Sequence, residues 1–538
     1  MAPQLDREKQ LTAEIEALKA ALAASHGELD SLRQKYQSLS DSYEKIRRLH
    51  FGTSSEKLPA AGDENQLGLF NEAEVHADTK LEDDEALGDD ESQSAGKKPR
   101  GKPGRKPIPA HLERIEIPHD VPQADKSCPC CGKPRPAMGE ERTEEIHVIP
   151  ATAVVHVHVR KKYGECSCQG FMDSGLPAVI KGPAPVKIIP GGLFSNETVA
   201  LIVAAKFADG IPLYRSEKIF SRAGLDTNRA TLCSQVLRVG EKIGPLLELM
   251  WADALKSPVV GMDETTLQVL KEPGRKPQSK SYMWVLHSYF QRSGGQWDQI
   301  VLYRYHHSRE GIVAFEILKD YQGFVQTDGY AGYKAIGLLP SIVHVACWAH
   351  IRREFMDAYE LENSDKPFIK DILDLIGGLY LIEKKLRARL GTQDPQRLLT
   401  AEGFLSERKR LAGVRLAQIK SWLDTNELAV TPKSTLGKAI SYAKGQFHRA
   451  ARYVDHILLT PDNNPVENAI RPFVVGRNAW LFNNTPRGAH ASGGIYSLLI
   501  TARANGLEPY AYLCRLFNEL PLATDETAHR KLLPYAAK

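Results

Sequence analysis

The sequence predicts a multidomain α/β protein, and three observations carry that prediction. Residues 258–357 alternate apolar strand patterns with helical ones, long helix-patterned stretches flank them, and five of the eight cysteines crowd into 41 residues upstream. A chain of 538 residues exceeds one ordinary domain, and a composition of 42% apolar and 25% charged residues suits folded cores. No apolar run reaches the roughly 18 residues of a membrane helix. The amino terminus MAPQLDREKQ also lacks the apolar centre of a signal peptide, so a cytoplasmic protein without a membrane partner is expected.

From Leu11 to Ile46 apolar residues recur at alternating spacings of four and three, with Ser25 the single break. A narrow seam sustained over five heptads asks for a partner. A coiled coil over 1–50 and a homo-oligomer are therefore expected; a helix packed back on its own chain is the alternative. Residues 51–107 read as a linker. Within it, 71–96 hold ten acids and one Lys, a net charge of −9 that leaves about +13 on the rest of the chain. That stretch has too few large apolar residues to fold. The next segment, KKPRGKPGRKP, sets Lys102, Arg105 and Lys106 in an extended Pro- and Gly-rich strand. It resembles an AT-hook, which lies in a narrow, electronegative minor groove; a solvated linker, or a partner for the acidic run, is the other reading.

Residues 108–180 contain CPCCG (Cys128, Cys130, Cys131) and CSC (Cys166, Cys168). In a reducing compartment such clustering argues for Zn²⁺ rather than disulfides. Cys128, Cys131, Cys166 and Cys168 are expected to form a closed, structural four-thiolate site, with Cys130, His156 or His158 as alternative ligands. Between the pairs, VVHVHVRKKY alternates like a strand. Residues 181–256 read as a helical domain of three helices. The second and third meet at Gly224-Leu225-Asp226, a turn of helix-turn-helix kind. Thr227 or Asn228 would cap the third, with Arg229 at its groove-facing start; ordinary helical packing competes with this reading.

The core is expected over 257–482. PVVGM, YMWVLHSYF and QIVLYRYH read as strands, EGIVAFEILKD as a helix, GFVQT and SIVHVACW as strands, and AHIRREFMDAY as a helix. That order matches a ribonuclease-H-like core, with a helical insertion at about 358–457 and a helical segment over 483–538. Asp263 and Asp328 stand at the ends of apolar strands, where α/β sites form. In NNPVENAIRP, Pro465 opens one or two helical turns that put Glu467 and Arg471 four apart on one face. A solvated ion pair is the plain reading of those two. Two acids at strand tips and one on a later helix can also hold two hard cations, Mg²⁺ with Mn²⁺ as an alternative, for phosphoryl transfer. Glu264, next to Asp263, would point to the opposite face.

MDETTLQV, TDGYAGY, VACWAHIRREF and NNPVENAIRP…GRNAWLF, in this order, resemble the DDE transposases of the insertion-sequence-66 type. The resemblance implies catalytic, metal-holding roles for Asp263, Asp328 and Glu467. It implies cleavage at element ends and strand transfer into target DNA by a nucleoid-associated protein, with accessory proteins of the same element as further partners. Cys347-x-x-His350 recurs at this place in such transposases, which implies a structural or DNA-positioning role. Arg352, Arg353, Arg471 and Arg477 are candidate phosphate contacts. The family pattern often has Lys where Asn478 stands. A non-catalytic DNA-binding regulator, or a nuclease without strand transfer, are the rival functions.

Overall fold

The computed structural model describes residues 152–163, 179–293, 295–361, 366–390 and 398–536, with a few positions between 19 and 36. Most of the expected coiled coil, the basic segment with Lys102, Arg105 and Lys106, and Cys128, Cys131, Cys166 and Cys168 lie outside the described residues. Of the expected strand in VVHVHVRKKY, only β1 (Lys162–Tyr163) forms, antiparallel to β2 (Ile180–Lys181). Val155, Val157 and Val159 are exposed. Alternation makes a strand only where a second strand takes its hydrogen bonds.

Four helices follow, where three were expected. Ser195 caps α1 (Asn196–Phe207). Helices α2 (Leu213–Arg222) and α3 (Arg229–Lys242) are joined through Gly224, whose φ of +81° places it in the left-handed region that favours glycine. Asn228 Oδ1 caps α3 by accepting the Thr231 N–H at 2.9 Å. The long third pattern breaks into α3 and α4 (Gly244–Ala254) because Pro245 cannot continue a helix but suits a first turn.

A five-stranded sheet then forms from β3 (Val259–Gln268), β4 (Lys280–Gln291), β5 (Trp297–His306), β6 (Gly323–Thr327) and β7 (Ile342–Ala346), with α5 (Gly311–Leu318) between β5 and β6. Its order is β5-β4-β3-β6-β7. β3, β4 and β5 pair antiparallel, while β6 and β7 run parallel to β3. Successive side chains of β3 feed two cores: Val260 packs with the helices before and after the sheet, and Val259 with the insertion.

On the insertion side lie α6 (Trp348–Leu361), α7 (Lys366–Leu390), α8 (Ala401–Asn426) and α9 (Thr435–Ala451). Arg408, with no exposed surface, donates to Glu383 Oε1 at 2.6 Å and to backbone carbonyls of Tyr453, His456 and Leu459. The chain returns to the sheet through α10 (Asn464–Trp480), and α11 (Pro486–Ala504) covers the edge strand β5. Asn505 Oδ1, Thr501 Oγ1 and Ser497 Oγ accept the N–H groups of Gln299, Val301 and Tyr303. An edge open to another chain is thereby closed.

Candidate metal centre

The geometry of the site begins with unequal strand lengths. β3 and β6 pair in parallel up to Gly261↔Gln326, and β6 ends at Thr327. Asp328 follows immediately, so it stands level with Asp263 on the neighbouring strand. Asp263 is therefore not at a strand tip: β3 continues to Gln268, paired only with β4. Beyond Asp263 no strand continues on the β6 side, because β6 stops beside it.

Asp328 is held by its surroundings. Its Oδ1 accepts the Tyr330 N–H at 2.9 Å. Thr327 Oγ1 donates to the Asp328 carbonyl and lies 2.8 Å from His344 Nε2. Burial, with Arg449 and Arg452, pushes His344 down to about 4, so the ring is neutral at pH 7. A Cβ on Gly329 would lie 1.8 Å from the Tyr442 hydroxyl. Tyr442 of α9 thus leans over the turn, and burial, then the nearby Asp328 charge, pushes its phenol up to about 12.

Glu467 comes in on α10, which the sequence reading had as one or two turns and which runs for 17 residues through Pro472. Fully buried Phe473 and half-exposed neighbours keep the helix against β3 and β4 beyond the proline. The approach is tight. The Asn463 Nδ2 donates to the Met262 carbonyl at 3.3 Å, and a Cβ on Gly261 would lie 2.3 Å from Val466 Cγ2. Glu467, one residue on, is 8% exposed, and its Oε1 is buried without a hydrogen-bond partner.

The three acids act on one another. Burial first, then Glu264, Asp328 and Glu467, raises Asp263 well above the usual range, opposed by the Glu264 N–H on its Oδ1 at 2.7 Å. Glu467 is raised by burial, with Arg353 and Arg471 pulling it down and Asp328 pushing it up. Glu264 points to the other face, where it accepts from Arg309 and Tyr333. Burial raises it too, but these two donors oppose the rise.

Cys347 and His350 gather at the same helix. Cys347 Sγ accepts the Asn463 N–H at 3.3 Å, and ligand atoms of Cys347, His350 and Glu467 lie within 4.8 Å of one another. The sequence offered the Cys-x-x-His pair but no adjacent third ligand; the fold supplies Glu467. Tyr442 was likewise invisible, because nothing in the insertion's helical pattern marks which residue faces the sheet. Among the arginines, Arg353 is exposed and Arg352 buried. Arg477 is tied to Thr265 and Thr266 of β3, and Arg229 is exposed at the start of α3.

Fold and site together define an α/β protein with three electrostatically linked acids, Asp263, Asp328 and Glu467, beside its central strand. The chain belongs to the Transposase IS66 family, whose model matches residues 191–491. Three further models match: the IS66 C-terminal element over 497–535, the zinc-finger binding domain of transposase IS66 over 125–169, and "Transposase C of IS166 homeodomain" over 38–117. Similar curated proteins come from Sinorhizobium fredii. The uncharacterized protein y4qI is 27% identical, covering 97% of this chain and 94% of its own. The uncharacterized protein y4jD is 27% identical over 77% of this chain and 78% of its own. Among the described residues no helix is long and apolar enough to cross a membrane.

Proposed function

We propose that the protein cuts phosphodiester bonds at the ends of its own element and joins the freed ends to target DNA, with Asp263, Asp328 and Glu467 as its catalytic carboxylates. The observation that carries this reading is that β3, the end of β6 and α10 bring three acids into one electrostatic group, where burial first, then Glu264, Asp328 and Glu467, raises Asp263. The residues fit Mg²⁺, or Mn²⁺ in its place: the donors are carboxylate oxygens, and Glu467 Oε1 is buried without a hydrogen-bond partner. Such ions, when bound, would activate the attacking oxygen and offset charge on the phosphate.

The chain's own residues hold that arrangement. The N–H groups of Glu264 and Tyr330 each fix one oxygen, on Asp263 and Asp328. Asn463 and the bare backbone at Gly261 seat α10 so that Glu467 faces the strands. Exposed Arg353 and Arg229 are the phosphate contacts we favour; Arg477 acts through β3. In this reading residues 257–482 form a ribonuclease-H-like core with the 358–457 insertion. Cys128, Cys131, Cys166 and Cys168 hold a structural Zn²⁺, and the amino-terminal heptads join protomers.

The test is cleavage of labelled element-end DNA by the full chain with Mg²⁺ and with Ca²⁺. Nicking that needs Mg²⁺ and disappears in Asp328→Asn supports the reading. Retained nicking by Glu467→Gln contradicts the assignment, and DNA binding without cutting, even with the element's accessory proteins, favours a non-catalytic regulator.

A further inference from the structure

Glu467 faces two sets of partners. It acts on the charge of Asp263 and feels that of Asp328, and a thiol and an imidazole gather within 4.8 Å of it. We propose that Cys347, His350 and Glu467 form a second cation site, selective for a thiophilic ion such as Zn²⁺, whose occupation withdraws Glu467 from Asp263 and Asp328 and stops cleavage. The inhibitory part rests on the transposase reading above; the binding site itself does not.

The geometry supports a built site. Ligand atoms of the three residues lie within 4.8 Å of one another, and His350 Nδ1 is 4.0 Å from Glu467 Oε1. Both of these atoms are buried and lack a hydrogen-bond partner, although Glu467 is more than nine-tenths buried. A buried carboxylate oxygen and a buried ring nitrogen left unmatched at that separation are what an ion between them would satisfy. Cys347 stands at the start of α6, and the Asn463 N–H already points at its sulfur at 3.3 Å. Such donors stabilise a thiolate once the thiol proton has passed to solvent and the sulfur–metal bond has formed.

Ligand chemistry sets the selectivity. Thiolate and imidazole suit Zn²⁺, whereas Mg²⁺ demands oxygen ligands in octahedral array. Three protein ligands leave a fourth position open for water. An ion on Cys347 and His350 would take the Glu467 oxygen that lies 4.0 Å from His350 Nδ1, and it is this draw on the carboxylate that sets the second site against the first. Arg353 and Arg471, which act on the Glu467 carboxylate, oppose any cation here. The thiolate's negative charge counters that opposition, which is why a hard ion lacking a sulfur bond would not settle between them.

The experiment counts zinc bound per full-length chain after dialysis against micromolar Zn²⁺, in wild type, Cys347→Ser and Glu467→Gln. Any zinc in the cysteine-rich segment is common to all three and cancels. The wild type should hold one more zinc than either variant, with affinity at the extra site falling by more than the roughly 10–100-fold typical of an outer-shell loss. Equal counts in all three proteins overturn the site. Loss in Cys347→Ser but not in Glu467→Gln overturns the sharing of Glu467. In parallel, zinc added to Mg²⁺-dependent nicking should inhibit wild type about tenfold or more, and Cys347→Ser much less, each relative to its own zinc-free rate. If no protein nicks DNA even with the element's accessory proteins, the transposase reading fails while the zinc count still decides the site.

Discussion

On β3, Asp263 and Glu264 are adjacent and face opposite ways. Glu264 meets a guanidinium and a phenol, from Arg309 and Tyr333, which oppose the effect of its burial. Among the described residues Asp263 has no cationic partner; the charges of Glu264, Asp328 and Glu467 add to the effect of its burial. The insertion repeats the first solution: Glu383 takes hydrogen bonds from Arg408 and Arg387 at 2.6 Å each. This fold can neutralise a buried acid when the acid is part of the framework. Around Asp263 it leaves acids crowded, which is costly unless a cation enters.

The sharpest break between the two regions should come from conservative neutralisation. Asp263→Asn keeps an acceptor for the Glu264 N–H but removes the charge. DNA nicking should fall by about two to three orders of magnitude or more, while urea denaturation shows no loss of stability. On the framework side the pattern should reverse. Glu383→Ala leaves Arg408 buried and unpaired by a carboxylate, and should cost about 3–5 kcal/mol in the same denaturation assay.

A substitution at the junction should touch both properties. In Gly261→Ala the new methyl would meet Val466 Cγ2 at 2.3 Å and push α10 off the strand. Overpacking should cost about 1–3 kcal/mol, and nicking should fall because Glu467 moves with its helix.

The comparison also has a pH signature. Asp263 has its folded pKa raised, so its native state holds a proton longer than the unfolded chain does. Its contribution is fully present below the unfolded value of about 3.9 and is lost as pH rises through the higher folded value. Metal-free protein should therefore lose stability as pH climbs above the ordinary carboxylate range. Asp263→Asn should flatten that decline, and Mg²⁺ should offset it. An unchanged slope in the variant would assign the decline elsewhere. Smallest of all, Tyr442→Phe should slow nicking by about tenfold or less, since one hydroxyl over the Asp328 turn is lost.

Much of the sheet was legible because its strands are long apolar runs with clear breaks. Asp263 and Asp328 stood out as acids beside such runs, with Glu264 next to the first, and Glu467 as a lone acid in its segment. Other features depend on tertiary contact. β3 outlasts Asp263 because β4 pairs along its whole length, which the polar run Glu264, Thr265, Thr266 concealed. α10 continues past Pro472 because Phe473 is buried behind it. Cys347 and His350 acquire a third neighbour only when α10 folds back across 116 residues, the separation of Cys347 from Asn463. The same folding brings Tyr442 over Gly329.

The most direct test of the three acids as a cation-holding site is Mn²⁺ uptake by the full chain at neutral pH, followed by electron paramagnetic resonance of the free ion. Wild type should take up two ions per chain that Asp263→Asn does not, as a paired-ion site requires. Equal uptake by the two proteins would mean that the crowded acids do not hold cations, and the account built on them would be wrong.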